Sequence, residues 1–285
     1  MTTRPPNLID PGQPNSARLH SVFLRGKDHY EPDQALAENL SSSTIRPALT
    51  ESRRFTRRAV EYLSDHHGVS QFVELGCGLP HTPDIHDIAE QHNSTARTLY
   101  VDSDTVVAAH GRAMLHEPPT RYFTDTDITD TDTILSDITT VMDMTAPVAV
   151  CVSGTAEWIS DAPAVLAALT DRFPAGTWLV FTHATDEFYP HHIQAAAETL
   201  RRAGIPYHPR GRDEITAMLA GYQLIAPGLI APHRWPPTPS RGDDNGKSDS
   251  EIGDGDGIRR LSATAPRHRA AWDLSAYAAI GQRQQ

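Results

Sequence analysis

The chain has 285 residues, a formal net charge of -11, a hydrophobic fraction of 39% and a mean hydropathy of -0.43. This length accommodates one large α/β domain with additions or two small domains. The negative charge argues against nucleic acid as a partner, because binding a phosphate backbone requires a basic surface. The sequence has no apolar N-terminal signal segment and no apolar run of membrane-spanning length, which predicts a cytoplasmic protein without a membrane partner.

The two cysteines, Cys77 and Cys151, have neither the number nor the spacing of a disulfide framework or a metal site. We therefore expect buried thiols and no metal ion. Polar residues and prolines at positions 1–14 predict a disordered tail. Residues 236–268 include an acidic run rich in Gly, Ser and Asn, which predicts a disordered acidic loop.

An N-terminal helical extension is predicted over residues 15–68. A short helix precedes the turn formed by Arg25-Gly26-Lys27-Asp28. A longer helix is predicted over residues 47–67, with Phe55 and Leu63 on its apolar face and Gly68 as its end.

From residue 69 to 235 the pattern changes to alternating strands and helices. Strands are predicted at 71–75, 98–101, 122–123, 147–152 and 178–181. Helices are predicted at 83–92, 105–116, 162–172, 193–203 and 213–219. This alternation predicts right-handed crossovers and a mostly parallel sheet with helices on both faces. Apolar runs at 224–225 and 229–231 predict a strand pair or one bent strand, and residues 269–285 predict an edge strand and a tail.

A glycine pair follows the first predicted strand, in Glu74-Leu75-Gly76-Cys77-Gly78. Glycine permits a tight turn there and lets the backbone approach a ligand where a Cβ would clash. Open parallel sheets bind ligands at the carboxyl ends of their strands. The pair therefore predicts one wall of a ligand site.

Asp102 ends the second predicted strand, 24 residues after Gly78. A carboxylate at this position can accept hydrogen bonds from both ribose hydroxyls of a nucleoside. Together with the glycine pair it predicts an adenosine cofactor. The alternative is an ordinary βαβ unit in which the Asp caps a helix.

S-adenosylmethionine (SAM) fits this pattern better than NAD or FAD. The dinucleotide fingerprint needs a third glycine, and here His81 follows Pro80 at that position. Glu74, two residues before the first glycine, suits a ligand with an ammonium group better than one with phosphates. SAM has that ammonium, a carboxylate and a ribose, and no phosphate.

Several collinear motifs between residues 14 and 239 resemble the actinobacterial S-adenosyl methyltransferase family, once catalogued as a domain of unknown function. The motifs are Asn15-Ser16-Ala17-Arg18, Arg25-Gly26-Lys27-Asp28, Arg53-Arg54-Phe55-Thr56-Arg57-Arg58-Ala59-Val60, Glu74 to Pro80, Tyr100-Val101-Asp102-Ser103-Asp104, Thr182-His183-Ala184-Thr185 and Gly228 to Trp235. The resemblance implies a Rossmann-like class I methyltransferase fold: a mostly parallel seven-stranded sheet with an N-terminal helical extension.

The resemblance also implies cofactor-binding positions. The bend from Glu74 through Gly76, Cys77 and Gly78 would line the methionine end of SAM, and Asp102 with Ser103 would hold the ribose. Asp127 would reach the adenine amino group, with Ile128 beside the ring. The alternative for Asp127 is an exposed acid in a loop. Lys27 and Asp28 would belong to a lid over the cofactor, although a solvated turn explains them equally well.

The sequence departs from the family pattern after the fourth strand, where Glu157 stands in place of a His. A base is needed only if the methyl acceptor must lose a proton. Candidate bases are His183 and Glu157, and the alternative for His183 is a hydrogen-bonded residue at a strand end. The sequence thus predicts methyl transfer to a small molecule. A SAM-binding regulatory protein without activity and a nucleotide-dependent oxidoreductase are the alternatives.

Overall fold

A computed structural model describes residues 10–41, 43–236 and 274–284. Most of the tail predicted at residues 1–14, and nearly all of the acidic loop predicted at 236–268, lie outside these ranges. No helix in the described ranges is long and apolar enough to cross a membrane. The cytoplasmic location stays a prediction.

Three helices precede the sheet: α1 (Ser16–Phe23), α2 (Glu31–Asn39) and α3 (Ile45–His67). α2 was not predicted, because its sequence is mostly polar. A buried ion pair of 2.8 Å between Arg18 and Asp33 joins α1 to α2. α3 ends at Gly68, whose φ of 63° is the left-handed conformation that glycine adopts at helix ends.

Seven strands form one sheet in the order β3-β2-β1-β4-β5-β7-β6. Their bounds are β1 (Gln71–Leu75), β2 (Arg97–Val101), β3 (Arg121–Thr124), β4 (Ala149–Ser153), β5 (Trp178–Ala184), β6 (Tyr222–Leu224) and β7 (Ala276–Arg283). The crossover helices are α4 (Ile85–His92), α5 (Thr105–Met114), α6 (Thr131–Val141), α7 (Ala162–Thr170), α8 (Pro190–Arg202) and α9 (Arg212–Met218).

The strand order and crossovers confirm the Rossmann-like fold, and the sheet is mixed rather than all parallel. β7 runs antiparallel to both β5 and β6. It therefore lies inside the sheet, so the expectation of an edge strand was wrong. Ala and Gly are weak strand formers, which is why the sequence of β7 did not indicate a central strand. Of the predicted 229–231 strand, only an isolated bridge between Ile230 and Ala278 forms.

Alternating residues of the strands build two cores, one on each face of the sheet. Val73 and Leu99 pack with α6, α7 and α9 on one face, whereas Phe72 and Tyr100 pack with α3, α4 and α5 on the other. A third cluster, which includes Leu19, joins α1 and α2 to α8. The helical extension is thus fixed against the domain beside the carboxyl ends of the strands.

Candidate functional site

A cavity of about 260 Å³ opens at the carboxyl ends of the first four strands. We call it the cofactor cavity. Its wall combines residues from the bend after β1, the ends of β2 and β3, the loop after β4 and the first turns of α1. The lining includes Ser16, Ala17, His20, Gly76, Gly78, Asp102, Ser103, Asp104, Thr126, Ile128, Gly154, Thr155 and Trp158.

The two glycines of the bend have different surroundings, although both have left-handed backbones. Gly76 has a φ of 69° and Gly78 a φ of 67°. A Cβ at Gly76 would lie 2.2 Å from the Cγ2 atom of Thr155, whereas a Cβ at Gly78 would meet no atom within 4 Å. Gly76 therefore permits close contact between two loops, and Gly78 leaves open space in the cavity.

The carboxylate of Asp102 connects the glycine bend to the next loop. One oxygen accepts a hydrogen bond of 2.9 Å from the Gly78 amide, and the other accepts one of 2.9 Å from the Asp104 amide. Burial raises the pKa of Asp102 to about 6, against the effect of these two bonds. A carboxylate has about four acceptor positions, so Asp102 retains capacity for hydroxyl donors.

The loop after β3 supplies the far end of the cavity through Thr126 and Ile128. Asp127 itself is not in the lining. Its Oδ1 atom accepts bonds from the amide and the hydroxyl of Thr129, at 3.0 and 2.8 Å. Ile128 thus lines the cofactor cavity, while the carboxylate of Asp127 is engaged in its own loop.

The loop after β4 is bonded to the bend after β1. The Thr155 hydroxyl donates to the Leu75 carbonyl at 3.1 Å, and the Trp158 indole donates to the Gly154 carbonyl at 2.7 Å. The first bond holds two sides of the cofactor cavity together, and the second lies within the loop after β4. Sequence reasoning missed Thr155, whose only signal was its place after a strand end.

The helix α1 forms the cover of the cavity. Asn15 caps α1 and donates a hydrogen bond of 2.7 Å to Asp104, the capping residue of α5. Ser16 and His20 line the cavity from this helix. Lys27 and Asp28 are exposed and do not line it, and Asp28 instead lies 3.6 Å from His110. Of these two elements, α1 lines the cavity and the predicted Gly-Lys-Asp element does not.

Glu74 is buried but does not line the cofactor cavity. Its Oε1 atom forms an ion pair with Arg53, which also pairs with Asp84. Burial raises the pKa of Glu74 to about 7, against the attraction of Arg53. The Oε2 atom has no hydrogen-bond partner among the described residues. Sequence reasoning missed this ion pair, because α3 and β1 are joined only by the fold. Cys77 is half-buried beside the pair.

The ring of His183 is fully buried and both of its nitrogens are engaged. Nδ1 lies 2.7 Å from the Ala184 carbonyl and Nε2 lies 2.9 Å from the Arg210 guanidinium. Because arginine can only donate, Nε2 accepts and the proton is on Nδ1. Burial lowers the pKa of His183 to about 3, so the ring is neutral. These contacts fit the alternative of a hydrogen-bonded strand-end histidine, not the predicted base.

Glu157 and His20 converge on Gly154. A Cβ at Gly154 would lie 3.7 Å from the His20 ring and 3.8 Å from the Glu157 carboxylate. His20 Nε2 and Glu157 Oε2 are buried without a hydrogen-bond partner in the described chain. Burial raises the pKa of Glu157 to about 7 and lowers that of His20 to about 4. Sequence reasoning missed His20.

The charge of the lining indicates which ligand fits. Two aspartates, Asp102 and Asp104, line the cofactor cavity, and none of the described residues that line it is Lys or Arg. A pyrophosphate would gain no cation here. A nucleoside with a sulfonium and an ammonium group, but no phosphate, suits such a lining.

Comparison with known proteins decides the family. The sequence profile described as S-adenosyl methyltransferase matches residues 2–262. The chain belongs to the S-adenosyl methyltransferase family. As an S-adenosyl methyltransferase it uses SAM as its methyl donor, which excludes the oxidoreductase alternative.

Two solved structures resemble this S-adenosyl methyltransferase over its whole length. A DUF574 family protein from Streptomyces avermitilis is 26% identical, with a TM-score of 0.79 over 96% of this chain and 98% of that one. A protein from Thermobifida fusca, described as a proposed methyltransferase, is 27% identical, with a TM-score of 0.80 over 100% of both chains. The comparison with curated proteins gives no significant match.

Proposed function

We propose that this S-adenosyl methyltransferase transfers the methyl group of SAM to a small-molecule acceptor at the cofactor cavity. The observation that carries the proposal is the convergence of Gly78 and Asp102 on one cavity whose lining has no cation. SAM supplies a methyl group on a sulfonium, which is already an activated leaving group. The protein therefore contributes mainly binding, orientation and exclusion of water.

The cavity residues suit the three parts of the donor. Asp102 would accept hydrogen bonds from the ribose hydroxyls, with Ser103 beside it, and Ile128 would contact the adenine ring. The bare backbone from Gly76 to Gly78 would accept the amino-acid end. Lys27 and Asp28 are exposed and do not line the cavity, and Asp127 accepts hydrogen bonds from Thr129. The proposal therefore assigns these three residues no contact with the donor.

We propose Glu157 as the proton acceptor where the methyl acceptor must lose a proton. Its Oε1 atom lies near Gly154, which lines the cavity, and its pKa near 7 is suited to taking up a proton at neutral pH. We assign His183 a structural role instead, because its bonds fix the end of β5 to Arg210. Glu74 likewise serves to position Arg53.

A small acceptor is favoured because the cofactor cavity has a volume of only about 260 Å³ and α1 lines one side of it. The bond from Asn15 to Asp104 holds α1 in this position.

The experiment is to incubate the protein and SAM with a Streptomyces metabolite extract separated into small-molecule and macromolecular fractions. Formation of S-adenosylhomocysteine (SAH) is measured by mass spectrometry, with Asp102→Ala as the control. We expect SAH to form with the small-molecule fraction only. SAH formation with the macromolecular fraction alone would contradict the proposed acceptor, and donor binding without any SAH formation would favour the regulatory alternative.

A further inference from the structure

A second cavity, of about 550 Å³, lies between the end of α1 and α3. We call it the arginine cavity. It is larger than the cofactor cavity, and nothing in the proposed donor binding uses it. Phe23, Leu24 and Pro47 form apolar parts of its wall. The remaining lining is polar and consists of Arg25, Arg46, Thr50, Arg53, Arg54, Arg57 and His81.

Five arginines thus surround one cavity in a chain whose net charge is -11. Positions 46, 50, 53 and 57 fall on one face of α3, since residues three and four apart are neighbours on a helix. None of the described lining residues is Asp or Glu. This face of α3 therefore concentrates positive charge at the cavity.

Most of this charge is not neutralised by the protein. Within the described ranges, Arg25 and Arg46 form no ion pair, and Arg57 donates to the His81 carbonyl at 2.8 Å rather than to a carboxylate. Arg54 makes a long contact of 3.4 Å with Glu51. Only Arg53 has close acidic partners, in Glu74 and Asp84.

Two of the arginines also have buried donors that the protein leaves unused. The Nε atoms of Arg53 and Arg57 are inaccessible to solvent and have no hydrogen-bond partner among the described residues. Arg53 is 7% exposed. These two guanidinium groups therefore keep hydrogen-bonding capacity that the described protein does not use.

A small third cavity lies between the arginine cavity and the cofactor cavity. It has a volume of about 20 Å³, room for a single water molecule. It shares Leu24, Arg53 and His81 with the arginine cavity. It shares His20, Gly76 and Gly78 with the cofactor cavity. A group held by the arginines is therefore next to the place where the donor would bind.

We propose that the arginine cavity binds the acceptor through a carboxylate or phosphate group, so that the substrate is an organic anion with an apolar part. The planar guanidinium donates two parallel hydrogen bonds to either group. Phe23, Leu24 and Pro47 provide contacts for the apolar part. The inference rests on the proposed transfer to a small molecule and names its chemical class.

The test is binding of 4-fluorobenzoate, followed by 19F NMR, in the presence and absence of saturating SAH. The neutral 4-fluorobenzamide has the same shape and reports the contribution of charge. We expect the benzoate to bind at least about tenfold more tightly than the amide, equally with and without SAH. Inorganic phosphate should displace it, since both anions use the same guanidinium groups.

The variant for this test is Arg46→Gln with Arg54→Gln, both on exposed side chains whose loss leaves the core unchanged. The matched control is Arg201→Gln with Arg202→Gln, two exposed arginines on α8 paired with Glu198. The first pair should weaken benzoate binding at least about tenfold and leave SAH affinity unchanged. The control pair should change neither affinity by more than about twofold.

Equal binding of benzoate and benzamide, or equal loss in both double variants, would overturn the inference. Displacement of benzoate by SAH would also overturn it, because the arginines would then belong to the donor site. The titration without SAH reports on the arginine cavity alone. Failure of the proposed function would instead appear as absence of SAH formation from SAM with the small-molecule fraction, with the anion titration unaffected.

Discussion

Asp102 is the residue on which the cofactor cavity depends, because its two oxygens bond the bend after β1 and the start of α5. The same carboxylate faces the cavity with acceptor capacity to spare. It therefore has both a structural and a binding role, and its removal should affect the donor more than the fold.

We predict that Asp102→Ala weakens SAH binding by about 1–3 kcal/mol, because hydroxyl donors of the ribose lose their acceptor. The measurement is isothermal titration calorimetry, with thermal unfolding to confirm the fold. Asp132→Ala, which removes an exposed acid of α6, is the control and should bind as the native protein does. Native affinity in a folded Asp102→Ala variant would refute the role of this residue.

Two glycine variants, Gly76→Ala and Gly78→Ala, distinguish an effect on packing from an effect on SAH binding. Gly76→Ala and Gly78→Ala carry the same left-handed strain, which costs about 1–2 kcal/mol. Only Gly76→Ala also places a methyl against Thr155. We expect it to lower the free energy of unfolding by at least about 1 kcal/mol more than Gly78→Ala.

Gly78→Ala should instead reduce SAH affinity out of proportion to its effect on stability, because its methyl enters the cavity. Chemical denaturation and calorimetry on both variants provide the measurements. Equal losses of stability in the two variants would show that the contact with Thr155 has no energetic consequence.

The residues found correctly from sequence are those whose position follows from local pattern. A glycine pair and an acid that each follow an apolar strand must meet at one edge of a parallel sheet, and Gly78 and Asp102 do so. Glu74 and His183 differ because their partners, Arg53 and Arg210, come from distant elements. No local pattern shows that a side chain is already bonded.

Among the elements, α1 has the largest effect on access to the site. Its capping residue, Asn15, is bonded to Asp104 across the cavity mouth, and α1 also packs on α2 and α8. The bond between Asn15 and Asp104 thus fixes the start of α1 beside the cavity.

We predict that Asn15→Ala increases the dissociation rate of SAH, because the variant loses both the helix cap and this bond. Loss of the cap alone costs about 0.5–2 kcal/mol of helix stability. Hydrogen exchange should become faster over residues 16–23, and SAH should protect these residues in the native protein. Unchanged exchange and unchanged SAH dissociation would show that α1 does not act as a cover.

The elements predicted best were strands and helices with strong apolar periodicity, such as α3 and β1. α2 was missed because few of its residues are apolar, and α6 because its Thr-rich sequence has weak helix propensity. The central position of β7 depends on pairing with β5 and β6. That pairing is a property of the fold, which the sequence of the strand alone does not contain.

At the scale of the whole molecule, positive and negative side chains are concentrated at different cavities, which the net charge of the chain does not show. The chain is acidic overall, yet five arginines face one cavity while two aspartates and no cation face the neighbouring one, among the described lining residues. The net charge underlies the expectation that nucleic acid is not a partner, but it says nothing about the charge of a small ligand.

Burial of acids also gives the molecule a predictable pH dependence of stability. The folded pKa of Glu157 is raised to about 7 by burial, so the folded state binds its proton more tightly than the unfolded state does. Its contribution to stability is therefore present below the unfolded pKa of about 4.5 and is lost as the pH rises through 7.

We predict that Glu157→Gln reduces the loss of stability between pH 5 and pH 8, by up to about 3 kcal/mol at pH 8. Urea denaturation at the two pH values provides the measurement. The control position is Glu198, a half-buried residue of α8 whose pKa is lowered by its bond to Arg201, and Glu198→Gln should leave the loss in place. The same loss in both variants would mean that Glu157 is not buried as a protonated acid.

The measurement that tests the central claim most directly is a crystal structure of the complex with SAH. We predict that the ribose hydroxyl oxygens lie about 2.5–3.0 Å from the Asp102 carboxylate. We also predict that the amino-acid end lies along the backbone from Gly76 to Gly78. SAH bound elsewhere, or bound here without contact between its ribose and Asp102, would contradict the account.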